Sequence, residues 1–490
     1  MKRPNEFFKI QAIKRRYDHK TGKYIINIAY TTAPPKTTER VLGVAEAFGL
    51  GIDQQQKFTL YDNLELKIEK GDIVYITGES GSGKSILLKA LEKVIHKHTN
   101  QTCINIKAIK PPKDKPIIET VGKNLQQALD LLSHVGLNDA FLFLRTYRQL
   151  SDGQKYRYKI AKLIESQAQV WILDEFAATL DRDTAKIVAY NLQKLARKTG
   201  KTVLAATTHT DLFEDLNPSV HIHKRYGKEI TVRYHPNTPT PECSLIREMH
   251  IEDGTTADYK ALSVFHYRST RLPPPRRIFT LKRGNETCGV IVYSYPPPVM
   301  FGRSRVWKGT LKQLQKEMST ITRVIIHPKY RTIGLGTKIV RETLPLAGTP
   351  CVETLAAMAK YNPFFEKAGM QKIAETKPNM NLLKAIERLG ALGFKPFMLQ
   401  SQKHNIEKII EVGREKVIEI LAELSEKGGI PRKRVIPIGK AYPTHMEFME
   451  KLERSSVEEL AKALKRLGFL AQTKVYLFWK NETETTNPLN

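Results

Sequence analysis

The sequence predicts an α/β protein of two domains, the second an α+β fold that carries a helical insertion near its C-terminal end. Three observations predict it. An apolar strand run at 73–77 enters a glycine-rich loop and then the apolar-periodic helix ILLKALEKVI. A second strand-to-helix passage at 321–343 has glycines in its loop and a hairpin pattern ahead of it. Apolar residues then recur at three- and four-residue steps (Ile406, Ile409, Ile410, Val417, Ile420, Leu421, Leu424), followed by a strand-like 474–479.

Length and composition agree. The 490 residues make two or three domains at about 150 residues each. A chain that is 41% hydrophobic and 26% charged is globular, not collagenous, disulfide-dense or wholly disordered. Lys and Arg number 79 against 50 Asp and Glu, a formal charge of +29. A surplus of that size calls for a polyanion, and nucleic acid is the first candidate because neutralising phosphates releases counterions. Adaptation to heat explains many charges but not their imbalance. Cys103, Cys243, Cys288 and Cys351 lie too far apart for a zinc or disulfide framework. The N-terminal MKRPNEFFKIQAIKRRYDHK lacks the apolar stretch of a signal peptide, and no run reaches the ~18–20 apolar residues of a membrane span. The expectation is a cytoplasmic protein with no membrane partner.

The loop after the first strand reads Gly78-Glu79-Ser80-Gly81-Ser82-Gly83-Lys84-Ser85. It fits G-x-x-x-x-G-K-S/T between a strand and a helix, where backbone N–H groups cradle phosphates. Lys84 is placed to reach the β- and γ-phosphates, and the Ser85 hydroxyl to ligate Mg2+. Further on, Leu150-Ser151-Asp152-Gly153-Gln154 precedes a basic helix. The buried-strand run 170–173 ends in Asp174-Glu175, a position suited to a Mg2+ ligand and a water-orienting base. A further strand, 202–208, delivers His209.

In this order these segments resemble an ABC-type ATPase over residues 40–235. The resemblance implies ATP and Mg2+ as cofactors, with Gly78 to Ser85 as Walker A and Ser151, Gly153 and Gln154 as the signature. It makes Asp174 the Walker B ligand, Glu175 the catalytic base, Asp181 the D-loop residue and His209 the switch histidine. Because a single set of motifs is present, it also implies a head-to-tail homodimer with two nucleotides sandwiched. The family's glutamine between Walker A and signature is missing from Lys107-Ala108-Ile109-Lys110-Pro111-Pro112, so Gln126 or Glu119 is expected to stand in. The short interval before the signature leaves little helical subdomain for docking on a membrane partner.

The Pro- and Thr-rich HPNTPTPEC reads as a linker, and TADYKALSVF as a short helix. Residues 277–281 and 288–293, around the turn Lys282-Arg283-Gly284-Asn285, read as a hairpin. The strand 321–326 then feeds Arg331-Thr332-Ile333-Gly334-Leu335-Gly336-Thr337 and a helix, a loop whose amides can converge on a pyrophosphate. By itself R-x-x-G-x-G is also an ordinary strand-to-helix turn. Together with Tyr361-Asn362-Pro363-Phe364-Phe365-Glu366-Lys367-Ala368-Gly369-Met370, it resembles the two signature regions of GNAT acyltransferases. The resemblance implies acetyl-CoA as cofactor. The amides of Val324, Ile325 and Ile326 would hold the pantetheine arm and polarise the thioester. Arg331, Thr332, Ile333, Gly334, Leu335, Gly336 and Thr337 would hold the pyrophosphate, and Asn362 the CoA arm. Phe365 stands where the family often has a tyrosine acid, and a phenyl ring cannot donate a proton, so that role passes to another group, with Tyr361 a weak substitute, or to water.

Ser456 and Glu459 form a capping-box pattern for a late helix, and 474–479 reads as a strand returning to the acyltransferase sheet. The expected fold is therefore an N-terminal ABC-type P-loop ATPase domain followed by a GNAT-like α+β acyltransferase domain with a helical C-terminal insertion. Its expected divisions are a basic extension (1–40), the ATPase domain (41–235), a linker (236–262), the acyltransferase core (263–380), the helical insertion (381–470), and the returning strand and tail (471–490).

The stretch from Phe265-His266-Tyr267-Arg268 to Lys282-Arg283 carries six Lys/Arg cations, no acid and interleaved aromatics, a pattern suited to stacking on bases or to a solvated proline-stiffened loop. His266 or Tyr267 is a candidate proton acceptor; a hydrogen-bonded structural imidazole is the plainer role for His266. The H-Y-R segment before the core is similar to the Mom family of phage DNA-modifying enzymes. The whole chain resembles a mostly archaeal family in which an ABC ATPase is fused to an acetyltransferase domain. These resemblances imply an ATP-dependent nucleic-acid acetyltransferase acting on an exocyclic base amine, with structured RNA (tRNA or rRNA) favoured as partner. The rival readings are a Mom-like DNA-modifying enzyme, an ATP-regulated protein or small-amine acetyltransferase, and a non-enzymatic ribosome- or DNA-binding ATPase.

Overall fold

The computed structural model describes residues 8–32, 37–49, 57–266, 272–356, 362–376, 379–427, 432–440, 443–470 and 473–481. The chain divides into two compact units: Met1–Thr270 with Ile278–Val290 and Val324–Ile339, and Arg271–Arg277 with Ile291–Arg323 and Val340–Asn490.

In the first unit, β1 (Phe8–Asp18), β2 (Lys23–Thr32) and β3 (Lys57–Lys67) form an antiparallel sheet in that order. Much of the segment expected to be a basic extension is thus sheet. Tyr24, Ile26 and Ile28, on one face of β2, are buried with Leu64, Leu66 and Val74, and Ile25 on the other face is buried as well.

The nucleotide-type sheet contains β4 (Ile73–Gly78), β5 (Cys103–Asn105), β6 (Val170–Asp174), β7 (Thr202–Ala206), β8 (Val220–Lys224) and β9 (Ile230–Tyr234). Its order is β5-β6-β7-β4-β8-β9, parallel except for β9. Every residue of β4, β6 and β7 is buried, because layers cover both faces; hence the unbroken apolar runs. The helix Lys84–His98 leaves the end of β4 and buries Leu87, Leu88, Leu91, Val94 and Ile95. The carboxyl ends of β4 and β6 therefore open on the same edge of the sheet, where ligands of parallel sheets bind.

The remaining strands are β10 (His250–Asp253), β11 (Pro275–Arg283), β12 (Glu286–Ser294), β13 (Met318–Ile326), β14 (Cys351–Ala356), β15 (Gln371–Glu375) and β16 (Val475–Lys480), in the sheet order β10-β11-β12-β13-β14-β16-β15. The segment expected to be a linker supplies β10 and the helix Thr256–Ser263. β13 and β14 are parallel, but their ladder covers only Met318–Thr320 against Cys351–Glu353, while β13 continues to Ile326 and β14 to Ala356. At the end of that ladder the Thr354 hydroxyl donates to the Ile321 carbonyl at 3.0 Å.

The second unit is held by a buried charge. Glu353 is fully buried, and both its oxygens accept from Arg303, at 2.9 and 2.6 Å. Thr320 and Tyr476 donate to it as well, each at 2.9 Å. Helices Met380–Ala391, Gln402–Val412, Arg414–Lys427, His445–Arg454 and Val457–Leu470 pack on one another around Leu389, Ile409, Val417, Leu421, Phe448 and Leu464. Ile410, expected within the apolar stripe, is 70% exposed. Ser456 and Glu459 cap each other's backbone N–H groups, at 3.3 and 3.1 Å. Among the described residues no helix is long and apolar enough to cross a membrane.

Candidate nucleotide site

The loop from Gly78 to Ser85 joins β4 to its helix, and glycine is required at its start. Gly78 has φ +141°, and a Cβ there would lie 1.9 Å from the Lys224 carbonyl oxygen. Ser80 and Gly81 face outward, and Gly83 occupies the helix N-cap position. The Lys84 side chain folds back over the loop, with Nζ donating to the carbonyls of Gly78 (2.9 Å) and Glu79 (2.5 Å). Burial holds its ammonium below the usual lysine pKa, against the opposing pull of Asp174 and Glu79. Ser82 is buried, and its Oγ has no hydrogen-bond partner among the described residues. A buried hydroxyl left unpaired in a glycine-rich loop at a helix N-terminus is a place for phosphate oxygens.

Asp174 ends β6, and both its oxygens are engaged. Ser85 Oγ donates to Oδ1 at 2.7 Å, and Lys107 Nζ donates to Oδ2 at 2.7 Å. Burial raises the Asp174 pKa, but the Lys107 and Ser85 hydrogen bonds outweigh it and leave the carboxyl below the usual aspartate value. Glu175 has φ +58°, and Ala177 +57°; such left-handed backbone in non-glycine residues costs about 1–3 kcal/mol and concentrates at functional sites. It turns the Glu175 side chain outward, 72% exposed, with Oε1 at 3.4 Å from Lys107 Nζ. The pairing of Ser85 with Asp174, the lysine over the phosphate loop and the unpaired Ser82 fit a nucleotide triphosphate with Mg2+.

The other expected residues lie on neighbouring elements. Ser151 and Gln154 cap each other at the start of the helix Asp152–Glu165, and a Cβ on Gly153 would come within 3.3 Å of the Thr179 carbonyl oxygen. Asp181 caps the helix Arg182–Thr199 through the Thr184 N–H at 3.1 Å. The His209 N–H donates to Thr207 Oγ1 at 3.2 Å, and its carbonyl accepts from the Tyr75 hydroxyl. Lys107 was missed in the sequence, where a glutamine was sought. Neither expected substitute meets the acidic pair: Gln126 donates to Asp130 one turn on, and Glu119 sits in the short helix Ile117–Thr120.

The loop expected to hold a CoA pyrophosphate is anchored. Arg331 donates to the carbonyls of Ile326 (2.9 Å) and Asn138 (2.7 Å). Asn191 donates to Thr332 Oγ1 at 2.9 Å, and Thr332 has φ +76°. The side chains of Ile333 and Leu335 are buried. Gly334 (φ +96°) has open space around it, and the helix Leu335–Thr343, containing Gly336 and Thr337, starts directly after it. Arg331 thus braces the loop through its guanidinium, leaving backbone amides as the groups suited to an anion. Of the strand residues Val324, Ile325 and Ile326, Ile325 is buried. Asn362 is exposed, while Phe365, at the position where the GNAT resemblance expects a tyrosine, is buried and stacked on Phe364 at 4.1 Å. The His266 N–H donates to the Ser263 carbonyl at 2.9 Å; Tyr267, Arg268, Arg271 and Tyr361 lie outside the described residues.

Four of the six cations of the basic stretch lie among the described residues, and each has a partner within the chain. Arg276 lies over the Tyr295 ring at 4.6 Å, and Arg277 donates to the Leu346 carbonyl at 3.0 Å. Lys282 pairs with Glu252 at 2.7 Å, and Arg283 with Asp183 (2.8 Å) and Glu248 (2.6 Å). These four cations neutralise or cap neighbouring groups.

The phosphate loop, paired Ser85 and Asp174, and outward Glu175 define an ABC-type ATPase site. The ABC transporter family model matches residues 61–178. Over 178 residues the chain is 30% identical to the cytochrome c biogenesis ATP-binding export protein CcmA of Reclinomonas americana, covering 31% of this chain and 79% of that protein. Through this domain the chain belongs to the ABC ATPase family. It is also 27% identical over 203 residues to a putative ABC transporter ATP-binding protein of Clostridium tetani, covering 36% of this chain and 46% of that one. Against the methionine import ATP-binding protein MetN 1 of Oenococcus oeni it is 27% identical over 199 residues, covering 34% and 56%. The chain spans about half the length of these last two relatives. Among solved structures, a dimeric post-hydrolysis ATP-binding cassette bound to ADP and phosphate is 20% identical with a TM-score of 0.31, covering 36% of this chain and 92% of that one.

Proposed function

We propose that the protein hydrolyses ATP as a head-to-tail homodimer and uses that cycle to serve acetyl transfer from acetyl-CoA to a nucleic acid, structured RNA (tRNA or rRNA) being the favoured acceptor. The observation that carries the ATPase reading is the convergence of Lys84, Ser85, Asp174 and Glu175 at the carboxyl ends of β4 and β6. Lys84 supplies a fixed positive charge beside the phosphates. Ser85 and Asp174 are the residues that would hold Mg2+, whose chemistry there is neutralisation of the charge that develops on the phosphoryl oxygens. Glu175, outside the buried Ser85–Asp174 pair, is placed to orient and deprotonate a water. The exposed Ser151 at a helix N-terminus supports completion of the site by a second protomer.

Two observations support the acyltransferase reading of the second half. The sheet order β10-β11-β12-β13-β14-β16-β15 has a parallel β13–β14 pair whose ladder ends early. The loop after β13 enters a helix through a glycine at φ +96°. The charge of +29 supports a polyanionic acceptor, although the cations of residues 276–283 are otherwise engaged. His266 and Tyr267 remain the candidates to accept the amine proton.

Calorimetric titration of the full chain with acetyl-CoA tests this reading. Wild type should bind, and Gly334→Val should weaken binding by at least about tenfold, because a β-branched residue is strained at positive φ, while ATP hydrolysis continues. No binding by wild type, or joint loss of both activities in the variant, contradicts the two-module reading. Label from acetyl-CoA recovered in RNA supports the RNA acceptor; label recovered in DNA or in protein instead points to those rival acceptors.

A further inference from the structure

Besides Lys84, the ATPase site has a second cation, Lys107, from an element that carries none of the recognised motifs. Lys107 sits in the short turn Ile106–Ala108 that follows β5, and the turn is fixed from both sides. Its N–H donates to Asn105 Oδ1 at 3.0 Å, while Asn105 Nδ2 donates to Glu92 of the helix Lys84–His98 at 3.4 Å. β5 pairs in parallel with β6, Asn105 opposite Ile172, so Lys107 arises beside the end of the strand that delivers Asp174 and Glu175. Its ammonium reaches both carboxylates, at 2.7 and 3.4 Å.

The two acids are consecutive, and the Asp174 side chain is only 7% exposed. Two adjacent carboxylates with one of them buried repel each other and call for a counter-charge. Mg2+ bound with nucleotide supplies that charge in an ATPase of this class. Here the chain supplies one itself, and it occupies the Asp174 oxygen left over by Ser85. A neutral glutamine cannot play that part.

We propose that Lys107 is a tethered counter-ion of the ATPase site: a positioning residue that holds Asp174 and Glu175 together and competes with Mg2+ for Asp174. The proposal rests on the reading of this site as one for ATP and Mg2+. Its consequence is a raised Mg2+ requirement: the site accepts its metal only when nucleotide and Mg2+ together displace the ammonium. Lys107 is 56% exposed, so the competition is modest and solvent-screened.

The test is the Mg2+ midpoint for binding a fluorescent ATP analogue to the full chain, titrated with MgCl2 from EDTA and read by fluorescence anisotropy. Lys107→Met and Lys107→Gln should each lower the midpoint by roughly fivefold, in line with the strength of a partly exposed ion pair, while Lys107→Arg should stay near wild type. Nucleotide-free Lys107→Met in EDTA should also melt below wild type, because it leaves the two carboxylates uncompensated. An unchanged or raised midpoint in a folded neutral variant overturns the proposal, as does an arginine variant that shifts as far as the methionine one. Should Lys107→Met fail to fold, the glutamine variant decides. Failure of wild type to bind the analogue at any Mg2+ concentration overturns the nucleotide-site reading itself, a result distinct from an unchanged midpoint.

Discussion

Glu175→Gln should bind MgATP and retain it unhydrolysed, with phosphate release slowed by at least about a hundredfold, the usual contribution of a general base. The amide matches the carboxylate in shape but cannot accept a proton. Because the Glu175 side chain is 72% exposed and outside the Ser85–Asp174 pair, its replacement leaves the phosphate loop intact. The trapped nucleotide should also favour the closed dimer, so size-exclusion chromatography with ATP should show a species of twice the mass, and phosphate release should be measured on the same sample. Loss of ATP binding would contradict the assignment, since Glu175 would then be shaping the pocket instead of acting on water.

The second large effect is structural. Arg303→Met removes the cation from Glu353, a fully buried carboxylate bonded by Arg303, Thr320 and Tyr476. Burial, with Glu353 alongside, pushes the Tyr476 hydroxyl up, so it stays protonated and donates. Two hydroxyl donors cannot compensate a buried negative charge, and breaking such a pair costs about 3–5 kcal/mol. Urea unfolding followed by Trp fluorescence should report that loss in the second unit. Arg303→Met combined with Glu353→Gln should recover much of it, because a neutral amide needs no counter-ion. A loss below about 1 kcal/mol in the single variant would place the pair among screened surface bridges.

The parts of the site legible in the sequence are those written in contiguous residues. The loop from Gly78 to Ser85 has fixed spacing, and a strand that ends in Asp174-Glu175 announces its own polarity. Lys107 was not legible because its meaning depends on the pairing of β5 with β6, which joins positions 67 residues apart. The partners of the basic stretch were illegible for a related reason. Charge along a chain does not reveal that Arg283 meets Asp183, 100 positions away, or that Lys282 meets Glu252. In the N-terminal segment the Lys and Arg of β1 drew attention from the apolar β2, where Tyr24, Ile26 and Ile28 are buried. β10 has only four residues, all intermediate or exposed, and so gives no pattern to read. Ile410 shows the limit of periodicity itself, because a stripe of isoleucines at three- and four-residue steps is wider than the face its helix buries.

The most direct measurement of the central claim is release of phosphate from MgATP by the purified full chain, wild type beside Lys84→Ala. Saturable release by wild type and its loss in the variant, with the fold retained, is the expected result. No release by wild type, or equal release by the two, would contradict the claim that this loop and its acidic pair form an ATP-hydrolysing site.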